Sequence, residues 1–281
     1  MRIKWIILLW VVLFSAGCQK DTYKPSAPHP RLVILSPALT KLVFDMHLGE
    51  HIVGVTSFCQ LPQHQQRPVV GSVLSVRVEP ILAVAPDVVL TQIEPRKFDP
   101  LRKVKPDIRI EHFTIETLED IAAGMERIGR IVGQPDIGAQ AAKNFREKLQ
   151  QVQRQMAGLP RKRVMFVIGY EDPLTPGEGT FIDEMITLAG GRNVAAARFR
   201  GWKKTAGEFM VQSAPEVIIT QCKSAQKEEA GNYWRELFEK APNPAPRVVI
   251  VTDSDWTVPA GHLGDYTARL AEMIHPKVNR H

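Results

Sequence analysis

The chain has 281 residues, of which 44% are apolar and 23% are charged, and its formal net charge is +6 at pH 7. These proportions are typical of a globular protein and argue against an intrinsically disordered one, and the length suffices for two domains of about 100 to 130 residues with a connector. The basic residues are scattered among acidic ones, without the aromatic-interleaved basic stripe of nucleic-acid-binding proteins, so no nucleic-acid partner is expected.

The N-terminus has the pattern of an export signal that ends at Cys18. Arg2 and Lys4 form a basic start, and the apolar residues 5–14 are too few to span a bilayer. The small residues 15–17 and Cys18 are similar to the bacterial lipobox, in which the leader is removed before a cysteine that is then lipidated, although a serine stands where a leucine is usual. An ordinary secretory leader is the alternative interpretation. Both interpretations predict an exported protein, in the periplasm or cell envelope.

Residues 19–30 are predicted to be a tether, because three prolines are separated there by polar residues. Such a segment favours extended, solvated backbone and could hold the globular part up to about 35 Å from a membrane. Lipid chains on Cys18 would anchor the protein stably, since more than one acyl chain passes the threshold for lasting membrane binding. We therefore expect the protein to be attached to a membrane through a lipid anchor.

Strand and helix patterns follow from residue 31 onwards. Ser36 and Pro37 mark the start of a helix, since serine caps a helix and proline is tolerated at its first position, and Gly49 is expected to end it. Residues 133–135, Gly-Gln-Pro, separate two later helices. The pattern predicts strands at 31–35, 52–56, 108–113 and 163–167, and helices at 38–48, 117–132 and 136–157.

One fourteen-residue segment occurs twice in the chain. E-P-I-L-A-V-A-P-D-V-V-L-T-Q starts at Glu79 and E-F-M-V-Q-S-A-P-E-V-I-I-T-Q starts at Glu208, with six identical residues. Each copy predicts a short amphipathic helix closed by Ala-Pro and then a buried parallel strand. The strands expected at 31–35 and 163–167 recur at a comparable spacing. Repeated units in register predict two similar lobes, and two lobes predict a cleft.

Residues 136–157 would form a rod of roughly 33 Å, long enough to connect the lobes. A packed helix resists bending, so closure should be limited and the cleft largely pre-formed. The expected fold class is α/β, with two Rossmann-like lobes around central, mostly parallel sheets, one long backbone helix that joins them, and a ligand cleft between the lobes. The corresponding division of the chain is a signal at 1–18, a tether at 19–30, an N-terminal lobe at 31–134, the connecting helix at 135–158 and a C-terminal lobe at 159–281.

Apart from Cys18, the chain has two cysteines, Cys59 and Cys222, and each follows a predicted strand in a different lobe. Export makes a disulfide chemically permissible. A bridge would pin the cleft and oppose any opening, so two free thiols are expected.

Four groups of residues carry a resemblance to a known family. They are L-V-I-L-S-P at 32–37, G-V-T-S-F at 54–58, the two E-x-x-x-x-x-x-P-[DE] repeats, and T-D-S-D-W at 252–256. Together they are similar to the helical-backbone (class III) substrate-binding proteins of ABC importers, especially the receptors for cobalamin and ferric siderophores. The resemblance implies a monomeric receptor that captures cobalamin, another corrinoid or an iron chelate as cargo, has no resident cofactor, and delivers the cargo to a permease dimer with its ATPase.

The resemblance also implies a docking role for two glutamates. In the family, a glutamate on each lobe projects towards arginines of the permease, and the matching residues are Glu79 and Glu208. Two carboxylates at a fixed spacing can be recognised by electrostatic complementarity. A purely structural interpretation is the alternative, because the helix dipole favours an acidic residue in a first turn, and Thr205 with Glu208 fits a capping box.

Ligands of open α/β sheets bind beyond the carboxyl ends of the strands, and aromatic faces there suit large flat ligands. Trp202 resembles an aromatic residue that cobalamin receptors place over the corrin. Any one of the aromatic residues could equally belong to the core of a lobe, since Trp and Phe are usually largely buried. The expected ligand-binding residues are Phe58, Gln92, Tyr170, Trp202, Asp255 and Trp256.

The cargo is less defined than the family. Phe58 stands where cobalamin receptors tend to have a tyrosine. The regions where further tryptophans would be expected contain Val73, Leu74 and Gln92. Arg198 and Arg200 could instead meet the carboxylates of a ferric chelate or the propionates of haem, or they could be solvated surface residues. A haem receptor therefore stays an alternative.

Direct capture of a bare metal ion is a second alternative within transport. His47 and His51 are four positions apart, but Gly49 lies between them and is expected to end the helix, so they should not share a face. The other histidines show no ligand spacing.

An exported enzyme is the alternative of another class. Glu171, Asp253 and Asp255 could form a carboxylate cluster, but acids at strand ends often cap helices or bind polar groups of a ligand. The chain has no nucleophile elbow, no His-Glu-x-x-His and no P-loop lysine. We therefore expect a binding protein without catalytic residues.

Overall fold

The computed structural model describes residues 29–72, 76–239 and 241–276. The predicted signal with Cys18, most of the predicted tether, and Val73 and Leu74 lie outside these ranges. Within them, no helix is long and apolar enough to cross a membrane.

The first half of the described chain forms a five-stranded sheet with helices around it. Its strands are β1 (Leu32–Leu35), β2 (Ile52–Thr56), β3 (Val69–Gly71), β4 (Val88–Thr91) and β5 (Arg109–His112). They lie in the order β3-β2-β1-β4-β5, and every neighbouring pair is parallel. Its helices are α1 (Pro37–Asp45), α2 (Val78–Ala83), α3 (Asp99–Val104) and α4 (Leu118–Ile131). The central strand β1 is buried throughout, as expected of a parallel strand covered on both faces.

Helix α1 begins as predicted but ends earlier. Ser36 caps it and Pro37 is its first residue, whereas the last helical residue is Asp45 rather than residue 48. The helix ends there because His47 adopts a left-handed backbone with φ 59°. Gly49 then starts a short 3-10 turn that contains His51. His47 and His51 therefore lie outside α1, and they share no helix face on which they could bind a metal ion together.

A single helix, α5 (Pro135–Gln155), connects the two halves of the chain. It crosses α4 so closely that a Cβ atom at Gly138 would lie 2.5 Å from the carbonyl oxygen of Met125. The side chains reinforce this contact, since Arg146 Nη1 lies 2.7 Å from Glu126 Oε1 on α4. Helix α5 is therefore packed firmly against the first lobe.

The second half forms a six-stranded, mostly parallel sheet. Its strands are β6 (Lys162–Ile168), β7 (Leu174–Pro176), β8 (Gly191–Asn193), β9 (Trp202–Lys204), β10 (Val217–Gln221) and β11 (Arg247–Val251). The order is β11-β10-β6-β7-β9, with β8 beside β6; only the pairings of β7 with β6 and with β9 are antiparallel. Its helices are α6 (Phe181–Leu188), α7 (Gly207–Gln212), α8 (Lys227–Glu239) and α9 (Leu263–Ile274).

Helix α5 also packs against the second lobe. Lys148 Nζ lies 2.7 Å from Asp265 Oδ1 at the start of α9. The main hydrophobic core runs through both lobes and contains Leu39, Met125, Phe145, Phe166 and Leu263. The predicted fold class is confirmed: two α/β lobes with central, mostly parallel sheets are joined by one long helix.

The two copies of the repeat adopt the same backbone. Ala85 and Ala214 lie two residues beyond the ends of the repeated helices and have left-handed φ angles of 44° and 43°, a conformation that residues with a Cβ atom rarely adopt. An arginine at the start of each lobe's central strand holds this turn: Arg31 Nε donates to Ala85 O and Arg163 Nε donates to Ala214 O, both at 2.8 Å. The duplication seen in the sequence therefore includes a long-range hydrogen bond.

Candidate ligand cleft and docking face

Ser36 and Gln92 lie side by side where β1 and β4 end. Ser36 Oγ donates to Gln92 Oε1 at 2.5 Å, while the same oxygen accepts from Leu39 N–H at 3.3 Å and so caps α1. The Gln92 side chain is exposed. Its amide is fixed through the oxygen, which leaves the Nε2 group as a donor for a ligand.

Phe58 lies in the turn after β2 and is 58% exposed. Its N–H donates to Thr56 Oγ1 at 3.3 Å, and Cys59 Sγ lies 3.1 Å from Thr40 Oγ1 and 3.2 Å from Thr56 Oγ1. These contacts hold the turn while the ring of Phe58 remains in solvent. Cys59 and Cys222 are both free thiols, as predicted.

Trp202 is the corresponding exposed aromatic residue of the second lobe. It opens β9, is 37% exposed, and packs against Phe181 with ring centroids 5.9 Å apart. Phe181 lies at the junction of the lobes, because its N–H donates to Glu116 O at 2.6 Å. Trp202 therefore presents part of its ring close to where the lobes meet.

Tyr170 and Trp256, also predicted to bind ligand, are core residues by their surroundings. Tyr170 is 8% exposed and its hydroxyl donates to Glu229 at 2.8 Å, a hydrogen bond that raises the pKa of Tyr170 to about 12. Trp256 is completely buried and packs edge-on against Tyr266. Neither ring lies on the surface, which agrees with the core alternative for these two positions.

Asp255 is half-buried in the loop after β11. Its carboxylate lies 3.0 Å from Lys41 Nζ on α1, so the loop reaches across to the first lobe. The backbone of the loop is fixed by Asp253, whose Oδ1 accepts from Asp255 N–H at 2.9 Å and whose other oxygen accepts from Tyr266. Burial opposes ionisation of Asp253, but these hydrogen bonds outweigh it and lower its pKa. Lys41 was not predicted, because its contact depends on how the lobes pack.

The two arginines near Trp202 have different surroundings. Arg200 Nη1 lies 3.0 Å from Glu178 Oε1, so its charge is largely compensated. Arg198 is exposed and lies in a groove against α7.

Glu79 and Glu208 are both exposed in the first turns of α2 and α7. Within the described ranges, neither side chain makes an ion pair or hydrogen bond. The capping box that Thr205 and Glu208 could have formed is absent, since the Thr205 hydroxyl bonds to Thr175 Oγ1 at 2.6 Å and Ala206 is the N-cap of α7. The capping-box part of the structural interpretation of Glu208 is therefore wrong, whereas its place in the first turn of α7 agrees with the helix-dipole part.

The direction of the chain places each glutamate at the carboxyl edge of the sheet in its own lobe. Helix α2 precedes the parallel strand β4, and α7 precedes the parallel strand β10, so each helix starts at the carboxyl edge of its sheet. The first turns of both helices therefore lie at the edge where ligand-binding loops also lie. Each lobe thus displays one carboxylate at this edge, and neither carboxylate has a partner among the residues that the structure describes.

No group of three or more His, Cys, Asp or Glu side chains that could hold a metal ion occurs among residues 29–72, 76–239 and 241–276. His51 is buried, and its Nδ1 lies 3.2 Å from Pro30 O.

Comparison with known proteins gives relatives over most of the chain. The vitamin B12-binding protein of Salmonella typhi is 28% identical over 232 residues, which cover 81% of this chain and 83% of that protein. The vitamin B12-binding protein of Yersinia pestis (strain Pestoides F) is 25% identical over 212 residues, which cover 75% and 76% of the two chains. Both relatives are binding proteins, in agreement with the prediction of a binding protein rather than an enzyme.

Solved structures share the two-lobed fold. The periplasmic vitamin B12 binding protein BtuF of Vibrio cholerae has a TM-score of 0.73 at 22% identity, covering 90% of this chain and 99% of that chain. The periplasmic heme binding protein HutB of Vibrio cholerae has a TM-score of 0.76 at 18% identity, covering 88% and 99%. Residues 32–232, from β1 into α8, match the family described as periplasmic binding protein, and the chain belongs to that family.

Proposed function

We propose that this protein is the substrate-binding subunit of an ABC importer whose cargo is a large organometallic nutrient, either cobalamin, another corrinoid or a ferric chelate. The observation that carries the proposal is the pair of exposed aromatic rings, Phe58 and Trp202, one on each lobe. A large flat ligand held between lobes buries apolar area against such rings. The curated relatives, which are vitamin B12-binding proteins, support a corrinoid as the first candidate.

The polar groups of the cleft favour an amide-bearing ligand over a polyanionic one. Gln92 Nε2 can donate to a carbonyl, and the Asp255 carboxylate can accept from an amide N–H. Lys41 already pairs with this carboxylate at 3.0 Å, so the loop offers no uncompensated positive charge to the carboxylates of a haem or of a citrate-type siderophore. Corrinoids carry neutral peripheral amides, so we rank them ahead of haem.

Titration with cyanocobalamin, cobinamide, haemin and a panel of ferric siderophores tests the ligand class. Trp202 is exposed, whereas Trp234 and Trp256 are 1% and 0% exposed, so quenching of tryptophan fluorescence should report mainly on Trp202. We expect cyanocobalamin to bind at micromolar concentration or below. Binding of none of these compounds would refute the ligand class, and tight binding of a bare metal ion alone would favour a metal receptor.

Substitution of the two rings tests the site itself. Trp202→Ala and Phe58→Ala should each weaken cyanocobalamin binding about tenfold, since stacking and apolar contact of one aromatic ring contribute about 1 to 2 kcal/mol. Val104→Ala is the matched control, because Val104 is 64% exposed on α3, outside the proposed site. Calorimetry is the appropriate measurement, since it does not depend on Trp202 as the reporter.

Membrane attachment and oligomeric state are part of the same proposal. The family is periplasmic, and the lipobox-like residues before Cys18 support a lipid anchor on that cysteine. In detergent phase separation, the wild-type protein from native membranes should enter the detergent phase and Cys18→Ser should remain in the aqueous phase. Light scattering of the soluble domain should give a monomer.

A further inference from the structure

A groove of about 390 Å³ lies beside Glu208, on the second lobe. It is bounded by the segment that precedes α7 and by α7 itself. The residues that give the groove its character are Arg198, Phe199, Lys203, Phe209 and Gln212. Residues of the proposed ligand cleft, such as Phe58 and Asp255, do not line it.

The floor of the groove is aromatic and rigidly supported. The rings of Phe199 and Phe209 lie 5.9 Å apart at 44°, and Lys203 Nζ lies 5.5 Å from the centroid of Phe199. Gly177 packs directly beneath this point, since a Cβ atom there would lie 2.3 Å from Phe199 O. The backbone at Phe199 is therefore held close to Gly177, which supports this part of the aromatic floor.

Two positive charges on the groove lack a partner. Arg198 and Lys203 are exposed, and neither forms an ion pair with any residue that the structure describes. Their neighbours differ, because Arg200 is paired with Glu178 and Lys204 with Asp172. The groove thus combines an apolar floor with two uncompensated cations, which suits a segment that carries a carboxylate next to apolar atoms.

Glu208 lies at the rim of this groove. Gln212, which lines the groove, is four positions after Glu208 on α7, and residues at this spacing are neighbours on a helix surface. Thr205, which also lines it, lies directly before Ala206, the N-cap of the same helix. The equivalent region of the first lobe is different, since residues 69–78 contain Arg77 as their only charged residue. Among the described residues, the stretch before α7 therefore carries more positive charge beside its glutamate than the stretch before α2 does.

We propose that this groove is a second contact of the docking face and that it receives an acidic segment of the permease, next to the basic residue that pairs with Glu208. The inference rests on the proposed function. A surface that places a carboxylate and two cations side by side is matched by a partner with the opposite pattern, and such a pattern is more selective than a single charge pair. In a permease dimer with two identical docking surfaces, only the copy facing the second lobe would use its acidic segment.

Charge reversal of the groove tests the proposal. In cells that carry the native permease, the receptor gene is replaced by one encoding Arg198→Glu with Lys203→Glu, and uptake of labelled cyanocobalamin is measured. We expect uptake to fall at least tenfold while the purified variant binds cyanocobalamin within twofold of the wild-type affinity. Arg198→Lys with Lys203→Arg should keep most of the uptake.

A control pair with the same change in charge is Arg154→Glu with Arg192→Glu. Both arginines are exposed, Arg154 near the end of α5 and Arg192 on β8, which pairs with the first residues of β6, at the edge opposite the cleft. This pair should leave uptake unchanged. Thermal melting of every variant separates loss of docking from loss of folding.

Cross-linking identifies the occupant without reference to cargo. A photoreactive residue in place of Gln212 should cross-link to a permease segment that contains Asp or Glu. Cross-linking to a segment without acidic residues, or none to the permease, would overturn the proposal.

The remaining outcomes separate this proposal from the proposed function. Loss of cyanocobalamin affinity in the groove variant would assign the groove to the ligand site and overturn a docking role. Normal uptake by the groove variant, with uptake lost on reversal of Glu79 and Glu208, would refute the groove and leave the proposed function intact. Normal uptake by both variants would refute the groove and the docking role of Glu79 and Glu208, while the cargo part of the proposed function would stand.

Discussion

Lys41 Nζ lies 3.0 Å from Asp255 Oδ2, so an ion pair joins α1 of the first lobe to the loop after β11 of the second. One turn further along α1, Asp45 Oδ2 accepts from Gly261 N–H at 3.1 Å. The side chains of Lys41 and Asp255 are 29% and 24% exposed, so solvent only partly screens the pair. Together these contacts fix how the loop that carries Asp255 lies against the first lobe.

A double-mutant cycle with Lys41→Met and Asp255→Asn should measure this contact. We expect a coupling free energy of about 0.5 to 1 kcal/mol in urea denaturation, decreasing at 1 M salt, because the pair is partly exposed. The exposed pair Lys143 and Glu147 on α5, 3.9 Å apart, is the control and should give less. Equal coupling free energies for both pairs would show that the ion pair between the lobes stabilises the fold no more than an exposed pair on one helix.

Reversal of the docking charges should separate delivery from capture. Glu79→Arg with Glu208→Arg is expected to abolish uptake of labelled cargo, because like charges would then face the arginines of the permease, while ligand affinity stays unchanged. The control is Glu147→Arg with Glu236→Arg, two exposed acids away from α2 and α7. Uptake at the wild-type rate in the Glu79 and Glu208 variant would defeat the docking role.

The repeat shows what a single sequence predicts well. It predicted the short helices and the parallel strands, because a strand that is buried on both faces has a continuous apolar run. Its recurrence along the chain predicted the two lobes. It did not predict the left-handed backbone at Ala85, since a residue before proline is expected to be extended. That conformation is stabilised by Arg31, which is 54 positions away in the chain and donates to the Ala85 carbonyl.

The site was predictable to the level of loops but not of side chains. Chain order placed Phe58 and Trp256 alike after a strand, at the carboxyl edge of a sheet. The structure exposes Phe58 and buries Trp256, because Tyr266 of α9 covers the indole whereas no element covers the turn after β2 within the described ranges. Lys41 was missed for a related reason, since its partner Asp255 belongs to the other lobe.

The crossing of α4 and α5 should be intolerant of any side chain. Gly138→Ala would place a Cβ atom 2.5 Å from Met125 O, and backbone cannot move aside as a flexible side chain can. We expect a loss of about 2 kcal/mol or more in the free energy of unfolding. Gly231→Ala in α8 is the matched control, because the nearest atom is Ile250 Cδ1 at 3.6 Å; it should be neutral or stabilising by up to about 1 kcal/mol. Equal effects in denaturant melts would contradict the close crossing.

Glu184 makes a contact between the lobes with a distinctive pH dependence. Its Oε2 accepts from Leu118 N–H at 2.6 Å, so a carboxylate on α6 caps the first turn of α4. Burial raises its pKa most, and the neighbouring Asp120, Asp183 and Glu119 act in the same direction. The Leu118 hydrogen bond acts against them without cancelling them, so the pKa of Glu184 lies above its ordinary value.

A raised pKa means that the folded protein holds this proton more tightly than the unfolded chain, whose glutamates titrate near pH 4.3. The stability from this difference is fully present below the unfolded pKa and is lost as pH rises through the folded pKa. Glu184→Gln keeps an acceptor oxygen but does not titrate, so the stability of the wild type relative to this variant should decrease between about pH 4 and pH 7. Glu184→Ala removes the acceptor and should be less stable than Glu184→Gln throughout. Urea denaturation at four pH values across this range measures the difference, and an increase with pH would show that the carboxylate is instead stabilised as the anion.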